Sequence, residues 1–117
     1  FDIARTLALG ADWCNSARGF MFALGCIQAQ TCHTGLCPVG VTTQDTVLEQ
    51  RLEPEWGARH VRNYLKTLTM ELTTLARACG KQDVHHLEPE DLVALTVEAA
   101  AMARVPLAGT NWIPGLG

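Results

Sequence analysis

The chain has no excess of basic charge: nine Lys and Arg against twelve Asp and Glu leave a formal charge of −3. Nucleic acid or an anionic membrane therefore finds no electrostatic footing on it. Also missing is an apolar run able to cross a bilayer, because charged and polar residues break every stretch of about 20 residues. The given sequence opens on Phe1-Asp2, without an initiator Met and without the basic and apolar regions of a secretory leader. Nothing points to secretion, so five cysteines, an odd number, fit reduced thiols or metal ligands better than a disulfide scaffold. The expected setting is the cytoplasm, and the missing Met reads as a start partway through a longer protein. No internal repeat is present.

What is there is ordinary for one small domain: 117 residues, 48% hydrophobic and 18% charged. Composition divides it at residue 43. Residues 1–43 are rich in Gly, Cys and small side chains, and 44–117 form a mostly helical extension that carries most of the charge. In the first part, Ile3, Ala4, Leu7 and Ala8 recur at helical spacing, with Gly10 as a C-terminal cap. Ala11 to Cys14 fits a short buried strand, and Asn15-Ser16 can cap a helix over 17–29 with Phe20, Leu24 and Ile27 on one face. Helix, Gly, short strand, polar turn and helix is the cadence of an α/β unit. Residues 30–43, with Gly35, Pro38 and Gly40, read as an irregular loop.

In the second part, Glu53-Pro54 opens a long helix with Val61, Tyr64, Leu65, Leu68, Leu72, Leu75, Ala76 and Cys79 at helical intervals, closed by Gly80. Glu88-Pro89 opens another, in which Leu92, Leu95, Ala99 and Met102 form a stripe covered on more than one side. Leu107, Trp112 and Ile113 suggest that the tail rests against something.

The chemistry lies in GCIQAQTCHTGLCPVG, residues 25–40. Cys26, Cys32 and Cys37 follow a Cys-x5-Cys-x4-Cys spacing. Zinc asks for four ligands, usually in close pairs such as Cys-x2-Cys, and His33 beside Cys32 is an awkward fourth. Iron–sulfur clusters accept irregular spacing because each thiolate takes a different iron. Three cysteines suit a cluster lacking one corner, [3Fe-4S]. On spacing alone, iron–sulfur ranks above zinc, and both rank above a disulfide.

Residues 8–45, ALGADWCNSARGFMFALGCIQAQTCHTGLCPVGVTTQD, resemble the flavin domain of the glutamate synthase large subunit and the smaller FMN-binding glutamate synthase family. The similarity is weaker over the helices and returns at PLAGTNWIPG. Thr46 stands where the family pattern has Pro. The resemblance implies that Cys26, Cys32 and Cys37 bind a [3Fe-4S] cluster. It implies an α/β fold, the C-terminal part of a (β/α)8 TIM barrel with its last strand at 11–14 and last helix, the iron–sulfur loop, then the helical extension. The piece in hand would be mainly α. Such barrels bind phosphate near the loops after strands seven and eight and at a helix start. Asn15, Ser16, Ala17, Arg18 and Gly19 occupy that place, so the resemblance implies that they grip the FMN phosphate. A bland reading of the same residues is a capped helix with a solvent-facing Arg.

The implied enzyme is an FMN and iron–sulfur oxidoreductase. Its reduced FMN delivers a hydride to 2-iminoglutarate, formed from 2-oxoglutarate and ammonia or glutamine nitrogen, giving L-glutamate. Ferredoxin or an NAD(P)H-linked donor subunit would supply electrons through the cluster, and oligomers are compatible with this. A whole barrel takes about 250 residues. The substrate pocket and catalytic residues, and a Gly-Gly phosphate loop, are therefore expected before Phe1, with no catalytic residue in this chain and no activity from it alone. Other readings are a family member with another substrate, or a small interaction module holding zinc on the three thiolates. His85-His86 reads as a surface loop, His60 as solvated, and Cys14 and Cys79 as packing residues.

Overall fold

Three helices of the computed structural model, which describes residues 1–116, end on a glycine in the same way. After α1 (Asp2–Ala8), the N–H groups of Gly10 and Ala11 donate to the carbonyls of Leu7 and Thr6 at 3.0 and 3.3 Å. After α2 (Arg18–Ala23), Gly25 and Cys26 do so to Phe22 and Met21, and after α3 (Pro54–Ala78), Gly80 and Lys81 do so to Arg77 and Ala76. These paired bonds satisfy carbonyls that the helix leaves open, and they need a left-handed residue between them. Gly25 supplies it with φ 100°. A fourth helix, α4 (Val97–Ala103), is capped at its start by the Thr96 hydroxyl, which accepts from Ala99 N–H at 3.1 Å. No helix among the described residues is long and apolar enough to cross a membrane.

The chain packs as two units, residues 1–14 with 70–117, and residues 15–69. They group residues differently from the compositional division at residue 43, which marks a change of residue type. Helix α3 contributes residues 54–69 to one unit and residues 70–78 to the other.

In the unit of residues 1–14 and 70–117, Ala4, Ala8 and Leu87 are buried against Leu72, Leu75, Val84 and Leu92. A second cluster joins Ala94, Ala100 and Val105, with Leu92 packed on both. Alanine dominates these cores, and burying one methyl contributes on the order of 1 kcal/mol, so the hydrophobic gain is small. Lys81 adds ion pairs to Glu88, Glu90 and Asp91 at 3.1, 3.5 and 3.7 Å. In the unit of residues 15–69, Phe20 and Tyr64 meet edge to face at 5.1 Å. Gly57, buried in α3, lets Leu24 and Leu52 close on its bare backbone.

Several expectations are corrected. Residues 11–14 form no strand, and Trp13 is 76% exposed. A parallel strand exists only through ladder bonds to a neighbour, and no β-strand forms among the described residues, only isolated bridges. Helix α2 stops at Ala23 rather than continuing to 29, because Gly25 turns the chain left-handed, and Ile27 is left exposed. The stripe from Leu92 to Met102 is not one helix. Pro89–Asp91 is a single 3-10 turn, and Ala94 pairs with the tail through Ala94 N–H to Pro106 O and Ala108 N–H to Ala94 O, both 2.8 Å. That pairing takes residue 94 out of any helix, α4 starts only at Val97, and Leu95 and Met102 are both exposed. The tail does rest on the chain, at Ala94. Cys79 is exposed rather than part of the core.

Candidate functional site

The cysteine loop lies in the unit of residues 15–69. Gly25 launches it, and the Trp56 ring supports that point, with Cη2 3.5 Å from where a Cβ on Gly25 would stand. Trp56 stacks on His60 at 3.9 Å, and His60 Nδ1 is 2.8 Å from the Trp56 carbonyl oxygen. His60 is thus half-buried against an aromatic ring instead of solvated.

Between Cys26 and Cys32 the backbone turns left-handed at Gln28 and Gln30, both with φ 59°. Such a conformation costs a non-glycine residue about 1–2 kcal/mol and persists only where the surroundings enforce it. The Gln28 N–H faces Cys26 Sγ at 3.5 Å. Cys32 opens a 3-10 turn, Cys32–Thr34, which ends on Gly35 in the left-handed region. The Thr34 hydroxyl donates to Thr31 O at 2.7 Å and accepts from Leu36 N–H at 3.2 Å.

Leu36 and Thr43 then form an antiparallel bridge that closes a hairpin around Cys37. Cys37 is buried, and its thiol is lowered to about 7. The largest cause is the backbone N–H of Thr42; burial opposes it, and the backbone N–H groups of Val39 and Val41 add to it. The thiolate is the form that binds metal. The Thr42 hydroxyl oxygen is buried and has no hydrogen-bond partner among the described residues. A buried hydroxyl left so costs about 1–3 kcal/mol. The hairpin is braced from residues 45–52: Arg51 Nη1 donates to Pro38 O at 3.0 Å, and Asp45 Oδ1 accepts from Val47 and Leu48 N–H at 2.9 and 3.0 Å. Gly40 lies so close to Leu48 O that an added Cβ would be 2.5 Å from it.

Cys26, Cys32 and Cys37 line one cavity, with Thr31, Pro38 and Val39, of about 220 Å³ including its open mouth. All five cysteines are free. No group of three or more His, Cys, Asp or Glu side chains among the described residues could hold a metal ion. The three thiols line the cavity without closing on a single ion, whereas a structural zinc site needs four ligands around one point.

Asn15, Ser16, Ala17 and Arg18 are exposed at the start of α2, with Ala17 as its N-cap and no side-chain cap bond. Gly19 has a different neighbour: an added Cβ would run into the Tyr64 hydroxyl. Reading the sequence missed Thr42, Arg51, Trp56 and the left-handed glutamines. None carries a periodicity or spacing signal, because each acts through one contact or one dihedral.

Residues 1–82 match a family model described as the conserved region in glutamate synthase. A glutamate synthase large subunit-like protein of Rhizobium meliloti is 47% identical over 132 aligned positions, covering 99% of this chain and 30% of that protein. A second, from Bacillus subtilis, is 46% identical over 91 residues, 78% of this chain and 17% of it. An archaeal glutamate synthase [NADPH] of Methanocaldococcus jannaschii is 42% identical over 86 residues, 74% of this chain and 17% of it. The chain thus spans 30% or less of the length of these relatives. No solved structure matches it.

Proposed function

The chain belongs to the glutamate synthase family, and on that footing we propose that it is the cluster-bearing C-terminal part of an FMN and iron–sulfur oxidoreductase. The reaction proposed is formation of L-glutamate from 2-oxoglutarate and ammonia, free or from glutamine, by reduction of 2-iminoglutarate. The observation that carries this is the shared cavity wall of Cys26, Cys32 and Cys37.

Those three side chains would hold a [3Fe-4S] cluster, with Cys37 already biased toward thiolate and Cys26 facing a backbone N–H. The exposed start of α2, with the N–H groups of residues 15–19 and the Arg18 guanidinium, would hold the FMN phosphate. When bound, FMN supplies hydride transfer and the cluster supplies one-electron relay. Burial of Cys37 keeps water from its sulfur, and the brace from Arg51 and Gly40 fixes where that sulfur stands.

A (β/α)8 barrel context is part of this reading. Phe1, Trp13, Leu95 and Met102, each more than three-quarters exposed, are side chains that further protein would cover. Substrate binding and hydride transfer would then depend on residues outside this chain, which by itself would be inactive. The archaeal relative's name carries NADPH, which supports a pyridine-nucleotide donor over ferredoxin. Five free thiols suit the cytoplasm. Another substrate within the same family is the second reading, and a zinc-binding module is not favoured.

The test uses the full-length protein, purified without air. Iron, acid-labile sulfide and FMN should co-purify, and 15N-ammonium with 2-oxoglutarate and NADPH should yield 15N-glutamate. Stoichiometric zinc without iron or flavin would overturn the assignment. Bound flavin and iron without glutamate would point to the second reading.

A further inference from the structure

Helices α1, α2 and α3 end on left-handed glycines, Gly10 at φ 116°, Gly25 at 100° and Gly80 at 75°. Helix α4 ends instead on Arg104, held at φ 56° and ψ 45°. Crowding of Cβ against the backbone disfavours that region for residues other than Gly, with Asn and Asp the usual exceptions. An arginine kept there gives up stability at the helix end. Its side chain is exposed and has no ion-pair partner among the described residues. Glu98, in the first turn of the same helix, is exposed and equally unpaired. Fully buried Ala100 and half-buried Ala103 mark the inward face of α4. A helical turn of about 3.6 residues brings Glu98, Ala101 and Met102 together on the opposite face, and Met102 is 87% exposed. α4 falls outside residues 1–82, the stretch that matches the conserved family region, so this face belongs to the chain's own extension.

We infer that α4 is a self-association face, against which a second copy of this chain packs its own α4 antiparallel, each Arg104 pairing with Glu98 of the other copy. Charge complementarity selects this occupant. A two-fold axis through Ala101 sets the residues three before and three after it opposite one another, and those are Glu98 and Arg104. Symmetry makes the pair twice. Parallel packing would instead set Glu98 against Glu98 and Arg104 against Arg104. The small side chain of Ala101 at the crossing lets the helix axes approach to about 8 Å. Met102 of each copy, flexible and unbranched, then covers the alanines of the other. The guanidinium thereby gains the carboxylate it lacks within one chain, which accounts for an arginine where the other three helices have glycine. The inference stands apart from the cluster reading and needs no cofactor.

The experiment is sedimentation velocity of the full-length protein over a range of concentrations, with thermal melting of each variant. The unsubstituted protein should self-associate. Glu98→Arg and Arg104→Glu each bring like charges together twice and should weaken association by about tenfold or more. The exchange of both charges in one protein should return it to within about threefold of the unsubstituted value. Met102→Asp should separate the copies. Arg104→Gly should weaken association about threefold to tenfold, the loss of two exposed ion pairs. In the separated Met102→Asp background, the same Arg104→Gly change should hold or raise the melting temperature, because glycine suits the left-handed helix end. A full-length protein that stays monomeric at every concentration overturns the inference, whether the rest of the chain covers α4 or leaves it open. Association unmoved by Met102→Asp and by both charge reversals places the contact elsewhere and overturns it too. Reversals that weaken association without recovery in the exchange overturn the pairing of Glu98 with Arg104. Iron and flavin content do not enter these readouts, so failure here leaves the redox assignment to its own test.

Discussion

Tyr64 lies against the bare Cα of Gly19, with its hydroxyl in the volume that any Cβ there would take. The same ring meets Phe20 edge to face at 75°. In an exposed helix, Gly→Ala would stabilise by about 0.5–1 kcal/mol. Here the clash reverses the sign, and Gly19→Ala should destabilise by about 1–3 kcal/mol, as overpacking does. Tyr64→Phe removes the nearest atom, so Gly19→Ala should cost less in that background. Urea unfolding of the four proteins in the cycle measures the coupling.

The hairpin brace gives a second expectation. Arg51→Ala removes the bond to Pro38 O, and at an exposed site the loss should be near 0.5 kcal/mol, the low end for a hydrogen bond. Gly40→Ala must push Leu48 O away and force alanine to φ 83°, and should be the worse change by several-fold. Iron content per protein should fall in the order unsubstituted, Arg51→Ala, Gly40→Ala.

The left-handed glutamines make a third. Glycine adopts φ 59° without strain, whereas a β-branched residue there is an outlier. Gln28→Gly and Gln30→Gly should retain the cluster, and Gln28→Val should lose stability and iron together, as read by melting temperature and iron analysis.

The ion cluster around Lys81 sets a pH window. Lys81 is raised from its ordinary value, chiefly by its bond to Glu88, so its contribution is present below the ordinary lysine value and is lost above the raised one. Glu88 is lowered, by Glu90 first and then Lys81; its contribution is present above the ordinary carboxylate value and is lost as pH falls through the lowered one. Stability should form a plateau between the carboxylate and lysine ranges. In Lys81→Met the fall on the acid side should be shallower, which the pH dependence of the urea midpoint would show.

Much of this fold was legible where a boundary residue does one thing. Pro54 and Gly80 delimit α3 as expected, and the irregular loop around Gly35, Pro38 and Gly40 is found where Pro and Gly cluster. Glu53 caps α3 by accepting from Trp56 N–H at 2.7 Å. Reading failed where a distant partner decides. Ala94 is extended because Pro106 and Ala108 bond to it, twelve and fourteen residues away, and periodicity carries no trace of that. Gly25 was visible, but the helical spacing of Phe20, Leu24 and Ile27 hid its role as a stop. At the site, the spacing of the cysteines gave the loop. Thr42, Arg51 and Trp56 became visible only with geometry.

The most direct measurement is the EPR spectrum and iron content of full-length Cys26→Ser, Cys32→Ser, Cys37→Ser and Cys79→Ser. Loss of the oxidised-cluster signal in the first three, with Cys79→Ser unchanged, is the expected result. A full signal in Cys32→Ser, or equal loss in Cys79→Ser, would contradict the assignment of the three loop thiolates to iron.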